Sequence, residues 1–426
     1  MIQKKSKLSL VFKSPLRNNF FFGYYDKSPL NKENNKHLAL KVKSIYKLPL
    51  MGDSCEIGYF DFKKKGEFVK IAKSNIFNWQ QGNMLQWLGP DFNTHIIYNE
   101  LINNKFVSTI YDLKSKKKSH LKNAIYCVAK NGKIALGIDF ERHYWFRRGY
   151  AYDGVTNRDK SVPVDLNDGI ELIDLKKNTK KKIITLRDVI KLKPLKSMSN
   201  STHYFEHLMF SPNGKKFVFY HRWKKFDGSI YTRLYLANKD GSNLVLLHDV
   251  GRLSHLNWIN DDNLICFGSA FLSIAGFIRK FNSLKVLLNF FLPIYKSIVK
   301  GNSTQGNSSL SKIITGDSYF ILSLKGKKRK IFTSVLNKDG HPTFIDGYKK
   351  KVITDTYPDK KNKVNLILCD YENESIDQVI TLESIKSLND SAQRCDLHPK
   401  LSIDGKFISI DTMNDKVRSV YLYEIT

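Results

Sequence analysis

The sequence predicts an all-β fold, a seven-bladed β-propeller, on three observations. A unit of two apolar strands joined by an Asn-, Asp- or Gly-rich turn recurs along the chain. Each copy is followed by two more short strands. The last copy is one strand short, and the N-terminal segment can supply the missing one.

The unit is clearest in "EHLMFSPNGKKFVFYHRW" (206–223), where a Ser-Pro-Asn-Gly turn joins two apolar strands. It recurs as "SHLNWINDDNLICFG" from Ser254, "GHPTFIDGYKKKVITD" from Gly340 and "LHPKLSIDGKFISID" from Leu397. Weaker copies begin at Tyr24, Met84 and Ile125, which makes seven. Period-two apolar alternation bounded by turn residues reads as strand–turn–strand. Third and fourth strands follow in "GYFDFKKKGEFVKIAK" (58–73), "STIYDLKSKKKSHL" (108–121), "IELIDLKKNTKKKIITL" (170–186) and "RLYLANKDGSNLVLLHD" (233–249). Four short strands per unit is the blade of a propeller. The seventh unit ends after three, at "RSVYLYEIT" (418–426), and "KLSLVF" (7–12) is free to close it. Closure of this kind joins the ends of a single propeller over 1–426 and removes an open sheet edge. The alternative is a pair of β-sandwiches with coincidental turns.

Two insertions break the period. One spans roughly 140–167 in the third unit. The other spans 268–316 in the fifth and includes "AFLSIAGFIRKFNSLKVLLNFFLPIYKSIVK" (270–300). Arg279, Lys280, Lys285 and Pro293 interrupt its apolar run, which is too short for a bilayer span. It reads either as a helical hairpin covering the propeller or as a basic amphipathic element resting on a membrane surface.

Seventy Lys and Arg against 40 Asp and Glu give a net charge of +30. That charge suits nucleic acid, an anionic membrane face or an acidic polysaccharide. No nucleic-acid motif accompanies it, and the lysine runs at 63–65, 179–182, 325–330 and 349–351 also read as solvated turn tips. Five scattered cysteines without a CxxC pair argue against a disulfide framework or a thiolate zinc site. With no apolar h-region near the N-terminus, the expected location is cytoplasmic, with peripheral contact at the inner membrane through 270–300.

Strand direction alternates within a blade. The start of strand one, the loop from strand two to three and the link to the next blade therefore share one face. His207, His255, His341 and His398 each stand three residues before an inner-strand anchor, Phe210, Trp258, Phe344 and Leu401. Tyr24, Met84 and Ile125 continue the column in the first three blades. Inner strands converge on the axis, so the four histidines form an arc at the rim of the funnel. Clustered neutral imidazoles favour a divalent metal. Asp396 and Gln393, just upstream of His398, would add oxygen ligands and suit Mn²⁺, Mg²⁺ or Zn²⁺. Second-strand ends bring Asn99, Glu100, Asp139, His221, Arg222, Asp355, Tyr357 and Asp411 to the same face. The third-unit insertion brings Arg142, His143, Arg147 and Arg148 with Tyr144, Trp145 and Tyr150. Arginine can hold carboxylates bidentately, and aromatic rings can stack on sugars.

The repeated H-x-x-[FW]-x-x-[DN]-G pattern resembles the TolB-type propeller repeat. Gln393-x-x-Asp396-x-His398-Pro is similar to the Gln-x-x-His-x-His-Pro metal segment of the oligogalacturonate lyase family, with Asp396 in place of a histidine. His255 matches that family's separate histidine ligand. "WQQGNMLQW" (79–87) is similar to a second-blade segment of these and the ulvan-lyase-like propellers. The resemblance implies a seven-bladed propeller that cleaves uronate-containing glycans by β-elimination around a divalent metal, manganese first, with zinc or magnesium as alternatives. It implies a metal on His255, His341, His398 and Asp396, assisted by Gln393. A base is then sought among Arg222, His221 and His207, an acid in Tyr24 or Tyr25, and substrate contacts in Arg142, His143, Arg147, Arg148 and Trp145. Two other functions stay open: a propeller of surface-polysaccharide biosynthesis, as transferase or modifying enzyme, and a non-catalytic TolB-like binding scaffold.

Overall fold

The structure, a computed structural model, describes residues 7–156, 164–272, 316–345, 351–388 and 392–426. Its strands form seven four-stranded antiparallel sheets. Six are sequential blades at 19–74, 86–121, 127–185, 201–248, 253–331 and 343–383. The seventh joins Lys400–Leu401, Phe407–Thr412 and Ser419–Ile425 to Leu8–Lys13, which lies outermost. Leu8 pairs with Ile425, and the Lys7 and Thr426 backbones exchange bonds of 2.8 and 2.9 Å.

The repeated turn has one chemistry. In blade four the Ser211 N–H donates to the Lys216 carbonyl at 2.9 Å and the Gly214 N–H to the Ser211 carbonyl at 2.8 Å. Blade seven repeats this at Ser402–Phe407 and Gly405–Ser402. Gly214 and Gly405 take φ of +68° and +76°, which glycine adopts without a Cβ penalty. The third-to-fourth-strand turn of blade one carries Lys63, Lys64 and Lys65, all exposed.

Second strands are buried on both faces because blades stack face to face around the axis. Phe217, Val218, Phe219 and Tyr220 are all fully buried, so the strand reads as a continuous apolar run. Polar residues near the ends of second strands join each blade to the next. Asn99 bonds both backbone groups of Ile125, at 3.0 and 2.8 Å. Asp355 accepts from the His398 N–H at 3.0 Å. Asp411 accepts from the Phe22 and Gly23 N–H groups at 3.0 and 2.9 Å and pairs with the buried Lys400 at 3.2 Å.

The third-blade insertion is not an open loop. Asp139 caps a helix, Phe140–Phe146, by accepting from the Arg142 N–H. The helix buries Phe140, Glu141, Arg142 and His143. The fifth-blade insertion falls almost wholly at 273–315, so the helical and membrane readings of 270–300 lie outside the described residues. Among the described residues no helix is long and apolar enough to cross a membrane.

Candidate active site

The inner strands carry their histidines into the funnel with an unusual backbone. His207 and His398 take left-handed φ of +55° and +45°, as does Met84 at the same column position, at +59°. In blade four the register slips between Glu206 and Met209, and a bulge of this kind re-aims a side chain. The rings then meet. His255 and His341 centroids are 4.1 Å apart, and His341 and His398 4.3 Å. His207 lies 6.5 Å from His255. Tyr24, the blade-one member of the column, lies 4.9 Å from His398 and 5.4 Å from His207.

Carboxylates orient two of these rings. His341 Nδ1 lies 2.9 Å from Asp355, which also accepts the His341 N–H at 2.7 Å. His255 Nδ1 lies 2.9 Å from Asp339. An ionised carboxylate only accepts, so both Nδ1 atoms carry the proton. Nε2 is thereby left with its lone pair, the arrangement that second-sphere carboxylates impose on metal-binding histidines. His341 Nε2 and His398 Nε2 are buried without a hydrogen-bond partner. Ligand atoms of His341, His398 and Asp396 all lie within 4.8 Å of one another. Two bare imidazole nitrogens and a carboxylate oxygen at that spacing fit a divalent cation. His255 stands beside them, its Nε2 3.3 Å from the Tyr357 hydroxyl.

Electrostatics keep the set poised. Burial, reinforced by His341, pushes His255 and His398 below the usual imidazole range. Burial acts on His341 in the same sense, but Asp355 outweighs it and raises that ring. Burial would raise Asp396, yet Arg394, bonded to it at 2.5 and 2.9 Å, holds it below the usual carboxylate range.

A crevice of about 780 Å³ lies beside this cluster and reaches it through His255, Tyr357 and Arg394, while His341, His398 and Asp396 sit behind its lining; the volume is within the size range of small-ligand sites. His207, Arg222, His255, Tyr357 and Arg394 line it, together with Arg147, Arg148 and Tyr150 from the insertion. The insertion reaches across the funnel: the Gln80 N–H donates to the Gly149 carbonyl at 3.2 Å. Behind the blade-four wall sits Glu206, wholly buried. Its oxygens lie 2.5 Å from Arg222, 3.3 Å from Arg147, 3.5 Å from His143 and 3.6 Å from His207. The Tyr24 hydroxyl is 2.5 Å from His207 Nε2.

Several residues expected at the site stand elsewhere. His221 alternates with Arg222 along its strand, so it turns away from the crevice. It is wholly buried, 2.9 Å from His203, with its ring 5.3 Å from Trp223. Arg142 is buried in the helix and ties the insertion to its surroundings through Asp168 at 3.2 Å and the His203 carbonyl at 3.3 Å. His143 lies behind the wall against Glu206, and Trp145 packs 5.4 Å from the Arg142 guanidinium rather than on the crevice. The helix buries Arg142 and His143 and leaves Trp145 half-buried, where the sequence reading took all three as substrate contacts. Asp139 is that helix's cap, and Asn99 and Asp411 are the interblade bonds described above. Gln393 is placed by its backbone, whose carbonyl accepts from Arg418 at 2.7 Å. Conversely, sequence reasoning missed Glu206, Asp339, Arg394 and Gln80. The signal for Glu206 was an acid inside an apolar inner strand, next to a histidine of the column.

No family model and no curated protein matches the chain. Solved structures do. An oligogalacturonate lyase in complex with manganese superposes with a TM-score of 0.60 at 12% identity, covering 99% of this chain and 97% of that one. An oligogalacturonate lyase from Vibrio parahaemolyticus gives 0.57 at 10% identity, covering 98% and 96%. At these identities the likeness is one of fold: from end to end, the chain shares the seven-bladed β-propeller of the oligogalacturonate lyases.

Proposed function

We propose that the protein is a divalent-metal-dependent lyase that cleaves an acidic, uronate-containing glycan by β-elimination. One observation carries the reading. His341 and His398 hold buried, partnerless Nε2 atoms beside Asp396, directly behind His255 and Arg394, which line a crevice rich in arginine. His341, His398 and Asp396 would hold the metal, with His255 next to them. A divalent cation there supplies positive charge to the uronate carboxylate and so acidifies the adjacent C–H.

The chain's own residues do the proton work. Burial keeps His207 well below the usual imidazole range, so the ring is neutral and can accept a proton. Its Nδ1 has no hydrogen-bond partner. With the ring proton on Nδ1, which faces Glu206 at 3.6 Å, Nε2 takes the Tyr24 hydroxyl proton as the Tyr24 oxygen takes the substrate C–H proton. Tyr24 then gives the proton it has gained to the departing glycosidic oxygen, and Nε2 returns its own proton to Tyr24. Burial holds Tyr24 well above the usual phenol range, which keeps that proton in place until it is needed. Glu206 stabilises the imidazolium formed in between. Arg222 does not serve as the base in this scheme: burial opposes its charge, but Glu206 outweighs burial and raises its pKa further. Arg222, Arg147 and Arg148 instead hold the anionic ligand.

The test joins metal analysis of the purified protein to an assay for unsaturated uronate, by absorbance, across a panel of uronate oligosaccharides. One metal per chain and a chelator-sensitive rise in absorbance are expected. His398→Ala should lose both metal and activity. His207→Ala should keep the metal and lose about 10²–10⁴ in rate, the usual scale of proton-transfer catalysis. A protein that takes up no metal and yields no unsaturated product from any of the panel would rule the reading out.

A further inference from the structure

We propose that the crevice contains a second carboxylate seat, formed by Arg147 and Arg222 and gathered by Glu206, on the blade-three and blade-four wall away from the histidine–aspartate cluster. It rests on the uronate reading and narrows it: the ligand carries two acidic groups, one for each wall.

Charge is the first ground. Arg222 approaches one oxygen of Glu206 at 2.5 Å and Arg147 the other at 3.3 Å. Two guanidinium cations share one carboxylate, so one positive charge is left over. The neighbouring histidines do not change that sum, since burial holds both His143 and His207 in the neutral form. A surplus charge in a low-dielectric wall is costly until an anion meets it. The other paired arginines of the crevice are already matched: Arg394 makes two bonds to Asp396, and Arg252 pairs with Asp317 and Asp339.

Hydrogen bonding is the second ground. Glu206 meets Arg147 through its Nε, at 3.3 Å and outside hydrogen-bond geometry, and the Nε of Arg222 is buried without an acceptor. One carboxylate so engaged does not saturate two guanidinium groups, and an oxyanion in the crevice can take the N–H groups they still turn outward. Both side chains line the crevice and keep 24% and 10% of their surface open to it. Tyr150 lies 4.2 Å below the Arg147 guanidinium and Tyr220 4.9 Å from that of Arg222, so each plane is held by a ring.

Galacturonate, which has one carboxylate, probes the seat in protein stripped of metal by a chelator and then dialysed. Calorimetry should show binding to the wild type that falls at least tenfold in Arg147→Met and in Arg222→Met. Glu206→Gln should lower the Tm, because two cations lose their shared counter-ion. In Glu206→Gln/Arg147→Met the Tm should recover, since one cation is gone, while galacturonate binding stays at least tenfold weak. A double variant that regains wild-type binding along with its Tm makes Glu206 merely structural and overturns the seat. So does a metal-free wild type that binds no galacturonate, even if it proves to be a lyase. A wild type that binds galacturonate metal-free yet neither takes up metal nor eliminates leaves the seat standing and removes the lyase reading.

Discussion

Asp355 serves two of the site's histidines at once. It takes the Nδ1 proton of His341 and the backbone N–H groups of His341 and His398. It therefore sets the aim of one ring and the backbone of another. Asp355→Asn should leave the fold intact and weaken manganese binding tenfold to a hundredfold, the usual effect of losing an outer carboxylate. Calorimetric titration with manganese checks this, and unchanged affinity would remove Asp355 from the site. The histidines were legible in the sequence because a repeat fixes their offset from an apolar anchor, and a column in sequence becomes an arc in space. Asp339 and Glu206 were not. Asp339 reads as a turn residue in "KDGHP", and nothing local shows that the turn ends against His255. The reach of Glu206 depends on a bulge and on a helix contributed by another blade.

At the scale of elements, close approach matters as much as side chains. Gly340 opens the blade-six inner strand, and a Cβ there would stand 1.9 Å from the Asp355 carbonyl oxygen. Gly340→Ala must push the strand start away from Asp355. The expected result is a lower Tm together with weaker manganese binding, read in the same titration; an unaltered Tm would show that the strand gives way freely. Blade six also carries Lys351 between Asp370 and Asp377, at 2.8 and 2.6 Å. Burial would raise Asp370, but Lys351 and Asn373 hold it down to about 2, from 3.8. A depressed carboxylate contributes stability above its unfolded pKa and loses it as pH falls through the folded one. Tm should thus fall between about pH 4 and pH 2, and Asp370→Asn should flatten that fall while lowering Tm at neutral pH. An equally steep acid limb in the variant would assign the loss to other groups. The turns of blades four and seven were readable because Ser-x-[DN]-Gly makes the same bonds in both. The third-blade helix was not, since seven residues carry too little periodicity to stand out from a loop.

For the whole molecule, the seven units and the borrowed outer strand followed from counting, because a propeller must satisfy every blade with the same number of strands. The insertions obey no such rule, so their shapes stayed hidden. Removing residues 1–13 would strip blade seven of its outer strand and expose Ser419–Ile425 as an open edge. A lower Tm and concentration-dependent light scattering are expected. A shortened protein that stays dispersed with the full-length Tm would show that the three remaining strands suffice.

The pairing of Leu8 with Ile425 also bears on how the molecule is made. On the ribosome, the Leu8 strand emerges before the other six blades and must wait for the Ile425 strand that follows them. Six blades can settle in order during translation, but the clasp that completes the circle forms only once the seventh has been made, so the nascent chain carries an unmatched strand through the synthesis of all six, and chaperones have reason to shield it.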